Sequence, residues 1–449
     1  MELSGNNINR TTPVNPAIVD RKLKESGIAD LGVASIREMV KLVNQIERES
    51  GVKYIRMEIG EPGIPPPVIG IDAEIEALEK GVSAVYPNIE GLRMLKEEAS
   101  RFFKLFLNID ISPSGCIPTV GSLMGGMLCF LVANRNDRTK EGTLFIDPGF
   151  PVQKQQVRML GHNYYSFDVY NYRGKKLREK LESYMAGGKI SSILYSNPNN
   201  PSWICFTEEE LQIIGELSDK YDVIVIEDLA YFGMDFRKDY SLPGEPPYQP
   251  SVAHYTKDYV ILLSSSKIFS YAGQRIGLIA ISDHLFNRMY PDLLRYYTSD
   301  SFGHALIYGA LYALSAGVSH SAQYGLAALL KAVNNGEYHY IDDVKEYGKR
   351  AKIMKKFFVE NGFRIVYDKD IDQPIADGFY FTISYPGMNG SQLLKELLYY
   401  GISAISLNIT GSEHTEGLRA CVSAVSLNRM DELKARLEKF NNDHPINNQ

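Results

Sequence analysis

Lys267 stands just past the apolar run Tyr259-Val-Ile-Leu-Leu263, inside "SSSKIFSYAGQRIGL", with Ser264, Ser265 and Ser266 before it and Arg275 eight residues later. An amine there follows a strand that reads as buried, at the edge of a sheet where open α/β folds bind ligands. Three other apolar runs end in polar residues in the same way. Thr143-Leu-Phe-Ile146 leads into Asp147-Pro-Gly-Phe150-Pro, Ser192-Ile-Leu-Tyr195 into Ser196-Asn-Pro-Asn-Asn200-Pro, and Asp222-Val-Ile-Val-Ile226 into Glu227-Asp228-Leu-Ala-Tyr231. One lysine at a strand end is a weak signal; four polar strand ends in succession are a constellation.

These ends require a sheet behind them. The runs above, with Gly277 to Ile281, recur between about Ser112 and Ser282, several of them separated by amphipathic segments, which predicts an α/β fold with a mostly parallel sheet. One covering helix is well marked: Thr207-Glu-Glu-Glu210 supplies an N-cap hydroxyl and a glutamate three residues on, and Leu211, Ile214 and Leu217 follow at helical spacing. From about Gly325 the pattern changes to helical stretches such as "SQLLKELLYYG" mixed with short strands such as "FYFTISYP" and "GLRACVSAVS", a second, smaller α+β domain. The helical "SIREMVKLVNQIERE" before Gly60 is expected to pack with it. The expected division is an arm at 1–34, a first part of the small domain at 35–60, a large domain at 61–324 and the rest of the small domain at 325–449.

The 449 residues carry a formal net charge of −6 with no single-sign block, which argues against attraction to nucleic acid or an anionic membrane and leaves a small molecule as the expected ligand. Four scattered cysteines without CxxC spacing and eight histidines without a ligand motif indicate neither a disulfide framework nor a bound metal. "MELSGNNINRTTPVNPAIVD" lacks the layout of a signal peptide, and "GSLMGGMLCFLVAN" is too short and Gly-rich to span a bilayer, so a cytoplasmic location is expected.

From roughly Ser35 to Val425 the spaced motifs resemble the aspartate aminotransferase family, fold type I enzymes that depend on pyridoxal 5′-phosphate. The resemblance implies a seven-stranded-type sheet in the large domain, and it assigns roles to residues that match the family's motifs. Lys267 matches the lysine of the cofactor Schiff base and general acid/base, for which the amine must be neutral and its pKa lowered. Arg275 and Ser264 match phosphate ligands, joined by Ser266. "PTVGSLMGGM" supplies the rest of the cup, with Gly121 allowing close approach and Ser122 and Leu123 offering N–H groups at a helix N-terminus. Asp228 matches the carboxylate that keeps the pyridine nitrogen protonated. Strand alternation turns its neighbour Glu227 to the other face. Tyr231 and Asn200 match the pair on the phenolic oxygen, and Phe150 the stacking aromatic. Arg419 matches the clamp on the substrate α-carboxylate, and Gly60 the stretch lining the same pocket. Tyr86 matches a tyrosine that reaches the phosphate of the neighbouring subunit, which implies a homodimer.

The activity so implied is transfer of an amino group between an L-amino acid and a 2-oxo acid. The same residues could support a carbon–sulfur β-lyase, since both reactions begin with loss of the α-proton; a non-catalytic ligand sensor is the remote alternative. One departure from the family is visible. Where the family reads NPTG this chain reads Asn200-Pro-Ser-Trp203, and because tryptophan does not readily take a positive φ, the loop after Asn200 is expected to follow a different path. The indole would then either wall the pocket or join the core. Arg295 in "LLRYYTSD" is either a side-chain-binding arginine or a solvated helix-end charge.

Overall fold

The computed structural model describes residues 11–446. Its centre is a seven-stranded sheet in the order Cys116–Thr119, Gly277–Ile281, Tyr259–Ser264, Ile224–Leu229, Ile190–Ser196, Gly142–Asp147, Asn163–Asp168. Gly277–Ile281 runs antiparallel to both its neighbours, and the four other strand pairs are parallel. Six of the seven strands are buried along their whole length, and burial on both faces is why five of these six read as continuous apolar runs and not as alternating patterns. Register aligns their ends: Ser196 pairs with Asp228, Asp228 with Leu262, and Ser264 with Gly277. The polar residues after each run therefore share one edge of the sheet.

Two of the strands lie outside the runs read from the sequence. Cys116–Thr119 is short and contains Pro118, and the edge strand Asn163–Asp168 is NYYSFD, neither apolar nor strictly alternating. The helix Glu208–Tyr221 forms behind its Thr207–Glu210 capping box, with Leu211, Ile214 and Leu217 buried. Gly121–Ala133, the most apolar helix candidate, packs on the sheet beside Tyr259–Ser264 and Gly277–Ile281, and its burial accounts for its composition. Among the described residues no helix is long and apolar enough to cross a membrane.

A second, four-stranded antiparallel sheet has the order Ile405–Ser406, Leu418–Cys421, Tyr380–Ser384, Arg364–Ile365. The helices Ile341–Glu360, Gly390–Tyr399 and Met430–Asp443 belong to this part of the chain. The helix Ile36–Ser50 leads to the strand Ile55–Arg56, which pairs in parallel with Ile402–Ser403 and so ties the segment before Gly60 to the C-terminal half. Residue 325 falls inside the helix His320–Asn334, which packs on Val68–Glu79 and Arg93–Leu107. A division at 325 would cut that helix. Of the N-terminal arm, residues 1–10 lie outside the described residues, and Pro16–Ser26 is a helix.

Candidate active site

Strand Tyr259–Ser264 passes directly into the short helix Ser265–Ile268, where the Ser264 hydroxyl accepts from the Ser266 N–H at 3.2 Å. On that turn Lys267 Nζ donates to the carbonyl of Gly60 and lies 5.1 Å from the Phe379 ring centroid. Burial lowers the Lys267 pKa to about 8; the charges of Arg419 and Arg275 push the same way, against Cys421 and Glu61. An amine so placed is neutral, and nucleophilic, over a pH range in which an exposed lysine is not.

Asp228, on Ile224–Leu229, accepts from Gln153 Nε2 at 2.8 Å and from the Ala230 N–H at 3.1 Å. Burial outweighs these bonds and raises its pKa to about 6. Glu227 points to the other face, accepting from Tyr195 Oη at 2.9 Å and from the Ser251 hydroxyl at 2.5 Å. The alternation expected along the strand is present.

The remaining polar residues form a linked chain. Asn200 Nδ2 donates to Tyr231 Oη at 3.4 Å, while its Oδ1 accepts from Arg419 Nη1 at 3.4 Å. Arg419 Nη2 donates to the Glu58 carbonyl at 2.7 Å, and the guanidinium lies 4.6 Å from the Tyr380 ring centroid. Arg419 is only 2 % exposed, and its Nε has no hydrogen-bond partner. A buried cationic N–H left unpaired is a site for an acidic oxygen.

A second set of donors forms a cup at the start of Gly121–Ala133. Gly121 has φ +67°, and a Cβ there would stand 2.5 Å from Arg275 Nη2. The missing side chain is what lets the guanidinium lie against the first helical turn, where the N–H groups of Ser122 and Leu123 have no intrahelical acceptor. Gly277 pairs with Ser264, and a Cβ on it would come within 2.9 Å of the Ser122 nitrogen, so Ser264 borders the same cup. Arg275, with φ +50°, spends one bond on the Ala272 carbonyl at 2.9 Å and is otherwise exposed. Phe150 caps the helix Pro151–Met159 and is half-buried, three residues before Gln153.

The path expected after Asn200 needs correction. Trp203 does adopt a positive φ, +65°, the conformation a glycine would take, so the backbone does not have to be diverted by the substitution. The indole is fully buried, 5.4 Å from the Tyr231 ring centroid and 6.2 Å from that of Tyr380, and its Nε1 has no partner. It occupies the space beside Gly378, where a Cβ would clash with the indole. Trp203 thus packs behind the two phenols as part of the core. Arg295 lies 3.5 Å from Asp292 and stacks 5.1 Å from the Tyr296 ring centroid, a helix-end charge. Tyr86 stands apart: it is 91 % exposed, on the rim of a cleft with Leu78, Val85, Pro87, Val318 and His320.

Gln153 and Tyr380 belong to the site without having been read from the sequence. Gln153 had a signal, since it falls one turn into the helix that Phe150 caps. Tyr380 had none, because its contact with Tyr231 bridges 149 residues of sequence.

A mostly parallel sheet with a buried amine at a strand end, a helix-start anion cup and an arginine on the smaller sheet defines the architecture of fold type I pyridoxal phosphate enzymes. Residues 52–437 match the family described as aminotransferase class I and II; the chain belongs to that family and is a pyridoxal 5′-phosphate-dependent aminotransferase. An LL-diaminopimelate aminotransferase from Natranaerobius thermophilus is 25 % identical over 404 residues, 88 % of this chain and 93 % of that one. A probable aspartate aminotransferase from Methanocaldococcus jannaschii is also 25 % identical, over 68 % of this chain and 82 % of its own length. Among solved structures, an alanine aminotransferase from Pyrococcus furiosus superposes with a TM-score of 0.75 at 19 % identity, covering 91 % of this chain and 97 % of that one. The aspartate aminotransferase from Thermotoga maritima gives 0.71 at 18 % identity, over 94 % and 99 %. The residues present fit the cofactor: an anion cup at a helix start, a buried carboxylate for a ring nitrogen, an amine with a lowered pKa, and an unpaired arginine N–H for a carboxylate.

Proposed function

We propose that Lys267 carries the cofactor and, once displaced by an L-amino acid, acts as the free amine that moves the proton from the substrate's α-carbon. The observation that carries this reading is the buried Lys267 amine, held near pKa 8 beside the Gly60 carbonyl, with Phe379 in contact with both Lys267 and Tyr231. When bound, pyridoxal 5′-phosphate supplies the electron sink for negative charge at that carbon. Arg275, Ser264, Ser266 and the helix start at Gly121, Ser122 and Leu123 hold its phosphate. Asp228, kept in place by Gln153, pairs with the ring nitrogen; Phe150 covers the ring face; Tyr231 and Asn200 hold the phenolic oxygen. Arg419 grips the substrate α-carboxylate, with Gly60 lining the same space.

The assembly we propose is a homodimer in which Tyr86 serves the neighbouring site, in keeping with its exposure in the single chain and with the open side of Arg275. All four cysteines are unpaired, which suits a cytoplasmic location. The large domain would run from 61 to 334, with 35–60 and the residues after 334 forming the small one.

The test is a panel of L-amino donors with 2-oxoglutarate, assayed with the wild type and Lys267→Ala. Transfer by the wild type and its loss in a folded Lys267→Ala variant are expected. Full activity in that variant refutes the assignment, and faster thiol release from cystathionine than amino transfer would make the protein a β-lyase.

A further inference from the structure

Tyr380 lies where the two halves of the site meet. Its hydroxyl is 2.8 Å from Tyr231 Oη, and the Arg419 guanidinium stacks on its ring. A Cβ on Gly60 would overlap the same hydroxyl, so Tyr380 also borders the stretch that receives the Lys267 amine. Trp203 and Phe379 pack edge-on against its ring, at 6.2 and 5.1 Å between centroids. It is buried, and it sits on strand Tyr380–Ser384, whose Thr382 pairs with Arg419.

The hydrogen count at Tyr231 gives this neighbour a role. Tyr231 has one hydroxyl proton, and as it stands that proton goes to Tyr380 while Asn200 Nδ2 donates to the Tyr231 oxygen. A Tyr231 that donates to a cofactor oxygen has no proton left for Tyr380. The pair keeps its hydrogen bond only if Tyr380 changes from acceptor to donor, which two hydroxyl rotations accomplish without net proton transfer. We propose that Tyr380 is a positioning residue that donates to Tyr231 when the cofactor is bound, polarising the Tyr231 hydroxyl and strengthening its bond to the cofactor's phenolic oxygen. The inference rests on the reading of Tyr231 as the residue facing that oxygen.

The charged and titratable groups around the pair are Arg419 and Cys421 from the neighbouring strand, with Lys267 acting on Cys421 in turn. Tyr380→Phe leaves all of them in place, keeps the ring under Arg419 and removes only the hydroxyl. The measurement is the pH midpoint of the visible absorption of the bound cofactor in wild type, Tyr380→Phe and Tyr231→Phe holoenzymes, with thermal unfolding to confirm that each is folded. A donor that stabilises the phenolate favours the deprotonated form, so its loss raises the midpoint. Tyr231→Phe should raise it most, and Tyr380→Phe by about 0.5–1 unit. KM for the amino acid should stay within about twofold in Tyr380→Phe, because the ring–guanidinium contact remains. A midpoint that moves in Tyr231→Phe but not in Tyr380→Phe overturns the role of Tyr380 alone. If neither variant moves it, Tyr231 does not face the cofactor oxygen and both readings fall.

Discussion

Asp228 accepts two hydrogen bonds, yet burial still lifts its pKa to about 6 from an ordinary 3.8. A carboxylate whose folded pKa lies above its unfolded one contributes stability that is fully present below about pH 4 and is lost as pH rises through about 6. Above pH 6 the cofactor-free protein therefore holds an unfavourable buried charge, which the protonated ring nitrogen would offset. Asp228→Asn removes the charge and keeps the shape. Without cofactor this variant should be more stable than wild type at pH 7.5, by on the order of 2 kcal/mol, with the difference shrinking toward pH 4; denaturant titrations at both ends check it. With cofactor, turnover should fall about a thousandfold, equivalent to about 4 kcal/mol, because an amide cannot keep the ring nitrogen protonated. Near-normal turnover would remove Asp228 from that role.

At the scale of elements, Trp203 sets two effects against each other. Its left-handed backbone stores roughly 1–2 kcal/mol of strain, while removing a fully buried aromatic ring costs roughly 3–5 kcal/mol. Packing wins, so Trp203→Gly should lose about 2–3 kcal/mol in denaturant unfolding with an unchanged profile of amino donors; a selective gain with aromatic donors at unchanged stability would instead place the indole in the pocket wall. The loop at Gly60 offers a cleaner pair. Gly60→Ala should lower the melting temperature by overlapping the Tyr380 hydroxyl, and Tyr380→Phe in the same chain should restore most of it, a coupling that a double-mutant cycle measures. What could be read from the sequence at this scale was local. Buried strands appear as apolar runs, the Thr207 cap as a short motif, and polar strand ends as a set brought to one edge by register. The strands at Cys116 and Asn163 lack such runs, and a break at 325 ignored a helix held by contacts from Val68–Glu79. Tyr380 and the φ of Trp203 are products of packing between residues far apart in the chain, where local steric preference yields to burial.

For the whole molecule the question is what covers the open side of the cup formed by Arg275 and the helix start at Gly121. Arg275 is exposed in the single chain, and Tyr86, at 91 % exposure with Val85 at 61 % beside it, lines a cleft that contains none of the residues around Lys267. A large exposed phenol beside an exposed valine is a surface that association would bury, and a two-fold dimer would let each chain complete the other's cup. That arrangement is testable by complementation. A Tyr86→Ala chain retains Lys267, and a Lys267→Ala chain retains Tyr86. Co-refolding equal amounts of the two should give about half heterodimers, each with one intact site of two, hence about a quarter of the wild-type activity per chain pair. Each parent alone should be severely impaired, Lys267→Ala through loss of the amine and Tyr86→Ala through weaker cofactor retention. Differently tagged chains recovered together would prove that heterodimers formed. If they form and no activity returns, the intact lysine and the intact tyrosine are not meeting across the interface, and Tyr86 acts within its own chain or not at all.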